Sequence, residues 1–388
     1  MKGRVIKVKE KSYKYIVDVG DDPKTGKRKR KSKGGFIKER DCQKALNEVL
    51  MQLQKNNYID ENKMSLADYL DYWLGTYAKL NVAPSTYVRY KLSIKDISNY
   101  IGNIALSQLK PLHIQKLYVR LLEEKKQSKC TVLKTHRTLH LALKQAIAWQ
   151  MIYSNPTDFV TAPRPDKVEM KVWTNEQAKD FLNRIGGESI HIPVAIALHT
   201  GAREGEICAI KWENIDLVNK TLVIRHSLPQ KKTDGELKIS TTKTRKSRTI
   251  SLGTEIVNTL KTWQTKQKEN KLFYGNKYIK SGYVCTWEDG RLISPHYVCD
   301  RFPDLIEKVN NDYRVEIKKP KATDLFMKIR FHDLRHTHAT ILLQKGVNIK
   351  VVSERLGHSK TAIDLDTYSH VLPNMQREAA QKIDEALS

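Results

Sequence analysis

The chain has 388 residues, with 69 lysines and arginines against 43 aspartates and glutamates, for a formal charge of +26. That length accommodates two or three domains with separate cores. The charge calls for a polyanionic partner, nucleic acid first, because cationic side chains gain affinity by releasing counterions condensed on phosphates.

No run approaches the ~18–20 apolar residues of a spanning helix, so a membrane protein is not expected. MKGRVIKVKEKSYKY lacks the apolar stretch of a signal peptide. Five cysteines, Cys42, Cys130, Cys208, Cys285 and Cys299, never stand in a C-x-x-C pair, which fits neither a disulfide framework nor a zinc ribbon. The expectation is a cytoplasmic protein with reduced thiols.

In chain order, GRVIKVKE and SYKYIVDVG alternate with period two and read as strands, and DDPKTGKRKRKSKGG supplies a turn followed by a basic strand or loop. Residues 38–55 place Ala45, Leu46, Val49, Leu50 and Leu53 on one helical face. Residues 1–60 thus form a small sheet-plus-helix domain. Its Lys27, Arg28, Lys29, Arg30, Lys31 and Lys33 read as a DNA-contacting run, with a solvated basic face as the lesser alternative.

A linker follows, and Ser65 is a plausible N-cap opening a helical domain over 65–165, with Pro84 and Pro111 near helix starts. Helices interleaved with Lys, Arg, Tyr and Ser fit a bundle lying on a DNA backbone, or an ordinary helical domain. TAPRPDKVEMK is a second linker, and Thr174 with Gln177 has capping-box spacing. Within 172–388, HIPVAIALHTGAREGEICAIKW reads as two helices hinged at Gly201, then strands in TLVIRHSL, ELKISTTKT and SRTISLG, then mostly helix. The basic run RVEIKKPKATDLFMK reads only as a DNA-facing or protein-facing insertion.

Certain residue types stand where chemistry would want them. Arg203 opens a helix, its fork suited to two phosphate oxygens beside the helix amides. Glu206 lies one turn on and would hold the guanidinium, although a surface ion pair has the same spacing. Lys243, in the hairpin STTKTRKSRTISL, would reach into a cleft beside a phosphate, where a lysine is a proton donor as well as a charge. In RFHDLRHTHAT, His332 and His336 echo the H-E-x-x-H of zinc hydrolases, while Arg335 shares a helical face with His332. Gly357-His358 marks a turn, and Tyr368 follows, in a place where a tyrosine usually packs.

Taken together, Arg203 in TGAREGE, Lys243 in TTKT, His332-x-x-Arg335 in HDLRHTHAT, His358 in LGHS and Tyr368 in DTYSHV closely resemble the tyrosine recombinase or phage integrase family. The resemblance extends over nearly the whole chain. Residues 1–60 resemble the arm-binding domain of integrases from temperate phages and conjugative transposons, a three-stranded sheet with one helix. Residues 65–165 resemble the core-binding domain and 172–388 the catalytic domain. The implied fold is multidomain α+β, with a helical bundle in the middle and a mainly helical catalytic domain carrying a small sheet or hairpin.

The resemblance implies that Tyr368 attacks the scissile phosphate, leaving a 3′-phosphotyrosine and a free 5′-hydroxyl, with no metal or other cofactor. Arg203 and Arg335 would bind the nonbridging oxygens, Lys243 would protonate the leaving oxygen, and His332 would assist proton transfer at the tyrosine. His358 would hydrogen-bond a phosphate oxygen, and Glu206 would support this set. A zinc site at His332 and His336 would need a third ligand and would place Arg335 beside a dication, so His336 and His338 read as structural.

Integration and excision of a mobile element follow as the expected activity. The implied partners are double-stranded DNA at core and arm attachment sites, three further copies of the chain in a tetramer, a DNA-bending accessory protein and an excisionase. In 372–388, the stripe Leu372, Met375, Ala379, Ile383 and Leu387 would pack on its own domain or dock on a neighbouring protomer. Asp364 and Asp366 must face away from the phosphate. The alternatives are a type IB topoisomerase or a chromosome-dimer resolvase, neither needing the arm-like module, and a non-catalytic DNA-binding regulator, which should have lost part of the catalytic set.

Overall fold

The alternating residues at the start of the chain form an antiparallel sheet in the order β1 (Gly3–Lys9), β2 (Ser12–Asp21), β3 (Arg28–Phe36). They do so in a computed structural model that describes residues 3–21, 28–54, 64–166, 170–230, 240–241, 247–317, 321, 325–357, 383–385 and 387. Register pairs Val5 with Tyr15, and Tyr15 and Val17 with Lys33 and Lys31. Residues directly opposite share a face, so this face carries Tyr15 and Val17 down onto Cys42 and Leu46 of α1 (Glu39–Gln54). Ala45, Val49 and Leu50 pack around them as the helical spacing predicts. Burying each large side chain contributes roughly 1.5–3 kcal/mol. The side chain of Leu53 lies outside the described residues.

Two compact units divide the chain, Met1–Lys167 and Val168–Ser388. The first also contains a helical bundle with its own core. Ser65 caps α2 (Leu66–Trp73), its Oγ accepting from the Asp68 amide at 3.1 Å. The helix then widens into a π-helical turn (Leu74–Ala78) and runs into α3 (Lys79–Asn81). α4 (Pro84–Ile101) and α5 (Pro111–Glu123) each start on their proline, where the missing N–H costs nothing. α6 (Lys129–Ala148) is capped by Ser128. Tyr69, Trp73, Ile97, Leu117 and Leu143 fill the centre. Buried Asp96 is neutralised there by Lys125 and accepts from Gln127 at 2.7 Å.

In the second unit Thr174 and Gln177 close a capping box on α7 (Asn175–Arg184), with reciprocal bonds of 3.2 and 3.1 Å. α8 (His191–Thr200) is apolar almost all round, and seven of its ten residues are buried. Beyond it lie the short α9 (Glu204–Cys208) and the antiparallel sheet β4 (Ile215–Asp216), β5 (Thr221–Ile224), β8 (Arg248–Ser251), in the order β4-β5-β8. β6 (His226–Ser227) pairs with β7 (Ser240–Thr241). α10 (Thr254–Tyr274), α11 (Pro295–Glu316), α12 (Asp333–Gln344) and α13 (Ile349–Leu356) follow. Trp173, Phe181, Phe302 and Phe326 pack with ring centroids 4.7–5.7 Å apart.

The run read as a basic insertion is anchored at both ends. Glu316 closes α11 and pairs with Arg184 at 2.8 Å. Phe326 is fixed by Asn310, whose Oδ1 accepts from the Phe326 amide at 2.7 Å and whose Nδ2 donates to its carbonyl at 2.9 Å. Residues 318–320 and 322–324 lie outside the described residues.

Candidate active site

Gly201 ends α8 with φ +65°, and a Cβ there would fall 2.7 Å from both His338 Cδ2 and Leu356 Cδ2. Only glycine fits at no cost. The turn delivers Arg203 to the N-cap of α9. Its amide donates to Glu206 Oε2 at 3.0 Å and its Nη1 to Oε1 at 2.9 Å. Since Glu206 takes that amide, anion binding falls to the Arg203 side chain rather than to the end of a five-residue helix.

Glu206 is 1% exposed and is shared with Arg248, whose Nη2 and Nη1 reach its two oxygens at 2.6 and 3.2 Å. Burial pushes the Glu206 carboxyl up, but the Arg248 guanidinium, seconded by Arg203, outweighs it and holds the group below the usual carboxylate range. Two cations around one anion leave positive charge at this point.

Arg335, on the first turn of α12, is 2% exposed. Its Nη1 donates to the Gly201 carbonyl and its Nη2 to the Leu356 carbonyl, both at 2.7 Å. Arg248 Nε donates to the Arg355 carbonyl at 2.8 Å. Two arginines therefore hold the C-terminal carbonyls of α13, where a helix carries unsatisfied acceptors and negative potential. Gly357 follows at φ +70°, and a Cβ on it would meet Arg248 Nη1 at 2.9 Å. His358, Tyr368 and Lys243 lie outside the described residues, as do 372–382 of the tail.

His332 stands at the N-cap of α12 with its side chain 41% exposed, and its Nδ1 lies 3.2 Å from Glu204 Oε2. The other Glu204 oxygen accepts from Gln230 Nε2 at 3.1 Å. The bond to His332 holds the Glu204 carboxyl below its ordinary value against burial. Burial pushes His336 and His338 down to about 4. His338, kept neutral by that burial, donates its Nδ1–H to the Leu198 carbonyl at 2.7 Å. Among the described residues, no group of three or more His, Cys, Asp or Glu is placed to hold a metal ion.

The structure thus brings Arg203, Glu206, His332 and Arg335 onto adjoining turns around Gly201. It adds two residues that the sequence reading missed, Arg248 and Glu204. Arg248 left a trace: on β8 it shares the inward face with buried Ile250. In the first unit, Arg30 and Lys33 of β3 are exposed and Lys31 is half-buried. Lys27 and the side chains of Arg28 and Lys29 lie outside the described residues.

Three family models match the chain: Arm DNA-binding domain over residues 5–53, the N-terminal SAM-like domain of phage integrases over 65–122, and Phage integrase family over 171–375. A tyrosine recombinase XerC-like protein of Caldanaerobacter subterraneus is 27% identical, covering 99% of this chain and 98% of its own. The ICEBs1 integrase of Bacillus subtilis is 24% identical over 99% of this chain and 100% of its own. In fold the chain is similar to the Tn1549 transposon integrase in complex with transposon right end DNA, with TM-score 0.68 and 21% identity over 83% of this chain and 100% of that one. It is also similar to lambda integrase bound to a core site, with TM-score 0.53 and 18% identity over 92% and 91%. With the Phage integrase family match alone spanning more than half its residues, the chain belongs to the phage integrase family and is a tyrosine-type site-specific recombinase.

Proposed function

We propose that the chain integrates and excises a mobile element as a tetramer on attachment-site DNA, with Tyr368 as the nucleophile of each strand cleavage. Arg203 and Arg335 bind the nonbridging oxygens, where charge accumulates as the phosphodiester is displaced. Lys243 protonates the leaving 5′-oxygen, His332 takes the tyrosine proton, and His358 hydrogen-bonds a phosphate oxygen. The phosphotyrosine conserves the bond, so a 5′-hydroxyl from another strand reverses the step and completes exchange.

The observation that carries this reading is the joining of Arg203 and Arg335 through one turn. Arg335 binds the carbonyl of Gly201, two residues before Arg203, while Glu206 fixes Arg203 from the other side. A guanidinium has five N–H donors in a rigid fork, and these bonds set the plane of each one before any phosphate arrives. Residues 1–60 act as the arm-binding domain, with Lys27, Arg28, Lys29, Arg30, Lys31 and Lys33 on arm-type DNA. Residues 65–165 act as the core-binding domain and 172–388 as the catalytic domain. A recess lined by Arg89, Lys134, His136, Arg137 and His140 supports a phosphate-tracking surface in the core-binding domain.

The Arm DNA-binding domain match over residues 5–53 supports an integrase over a chromosome-dimer resolvase, which does not need that module. A lambda integrase tetramer bound to a Holliday junction, similar to this chain with TM-score 0.56, supports the tetramer. The protein works in the cytoplasm with a DNA-bending accessory protein and an excisionase. No described helix is long and apolar enough to cross a membrane.

Plasmids carrying the joined ends of the encoding element and its target test the reading. Recombinant joints are expected, whereas relaxed plasmid without joints would overturn it in favour of a topoisomerase.

A further inference from the structure

We infer that Glu204 is a positioning residue for His332: its carboxylate, anchored by Gln230, takes the Nδ1–H of the imidazole and leaves Nε2 as the nitrogen that exchanges the nucleophile's proton. The inference rests on the role proposed above for His332. Neighbours in sequence, Arg203 and Glu204 turn to different partners. Arg203 goes to Glu206 at 2.9 Å, and Glu204 goes to His332, 128 residues away, at 3.2 Å.

The Glu204 side chain is only 18% exposed, and each of its oxygens has a partner, Gln230 on one and His332 on the other. An ionised carboxylate accepts and cannot donate. The hydrogen bond to His332 keeps this carboxyl below its ordinary value, so the proton on the shared bond belongs to Nδ1. The hydrogen bond at one imidazole nitrogen decides which nitrogen does chemistry.

The other charged and titratable groups around the pair have their own engagements or carry no charge. Asp333 is held by Arg330 at 2.7 Å. Arg335 holds the Gly201 and Leu356 carbonyls. His336, its ring 5.6 Å from that of His332, is pushed down to about 4 by burial. On the Glu204 side stand Cys208 and Cys299, both raised by burial and therefore neutral thiols. Glu204 is thus the carboxylate that meets His332.

The test is single-turnover cleavage of nicked attachment-site DNA by Glu204→Ala, Glu204→Gln, His332→Ala and the Glu204→Ala/His332→Ala pair, with non-covalent DNA affinity measured on the same proteins. Nitrogen NMR of 15N-histidine-labelled protein reads the tautomer directly. Glu204→Ala is expected to slow cleavage roughly 10- to 100-fold, the range for losing a partner that orients a histidine, with DNA affinity undiminished. Glu204→Gln, whose amide oxygen still accepts, recovers most of the rate. The double variant is no slower than His332→Ala, and the Nδ1–H signature of His332 is lost in Glu204→Ala.

Parent-rate cleavage by Glu204→Ala beside a slow His332→Ala would overturn the inference and leave the role of His332 standing, and so would losses that multiply in the double variant. Parent-rate cleavage by His332→Ala would instead overturn that role and the inference with it.

Discussion

Arg248 Nη2 lies 2.6 Å from Glu206 Oε2, with the two side chains 11% and 1% exposed. A buried ion pair adds little over apolar packing, but losing one partner strands the other charge. Here the stranded groups would be two guanidiniums. Glu206→Gln should therefore lower the stability of the second unit by about 3–5 kcal/mol, read as a lower denaturant midpoint at unchanged slope. Arg248→Lys, which keeps the charge but loses the fork and the bond to the Arg355 carbonyl, should cut cleavage about tenfold or more while DNA still binds. Parent-rate cleavage would show that the clamp on α13 is dispensable.

Two glycines with nearly the same positive φ separate conformational cost from crowding. Gly201 and Gly282 have φ +65° and +71°, yet a Cβ at Gly282 meets nothing within 4 Å while one at Gly201 meets His338 and Leu356 at 2.7 Å. Gly282→Ala should cost about 1 kcal/mol through the left-handed backbone alone. Gly201→Ala should cost about 1–3 kcal/mol more and slow cleavage, because it displaces the loop bearing Arg203. Equal melting temperatures for the two variants would contradict this.

The histidines of α12 set a pH window. His338 and His336 sit at about 4 in the fold, against an ordinary value of 6.5. The unfolded chain therefore binds protons near 6.5 that the folded chain refuses until about 4. Stability should be full above that window and fall as pH drops through it, with further loss below it as Glu204, Glu206 and Asp333, all held low, are protonated. Melting curves from pH 7 to about 4 read this. His338→Leu should flatten the slope, and a melting temperature constant across the window would refute it.

Much of the fold was legible because its signals are local. The capping box at Thr174, the proline starts of α4 and α5, the stripe on α1 and the turn at Gly201 all lie within a few residues of what they determine. Long-range partners were not legible. Arg248 is one of three basic residues in TRKSR, and only the pairing of β8 with β5 and the arrival of Glu206 distinguish it. Glu204 was passed over because Glu206 had the helical spacing to Arg203. The bond of Glu204 to His332 needs α9 and α12 to meet. The run 314–328 looks like an insertion because the clamp on its Phe326, Asn310, sits sixteen residues before that phenylalanine on α11.

The strand β3 makes a prediction about salt. Arg30 and Lys33 are exposed, so Arg30→Ala and Lys33→Ala should leave folding unchanged and each reduce the slope of log affinity for arm-site DNA against log salt by about one. Unchanged slopes would move the arm contact elsewhere.

The proposed mechanism requires Tyr368 to become covalently joined to DNA. Incubating the protein with nicked attachment-site DNA, trapping the adduct and mapping the modified peptide by mass spectrometry tests it most directly. A nucleotide on Tyr368 through a 3′-phosphate, no adduct from Tyr368→Phe, and no effect of a chelator are expected. An adduct that persists in Tyr368→Phe, or maps to another residue, would contradict it.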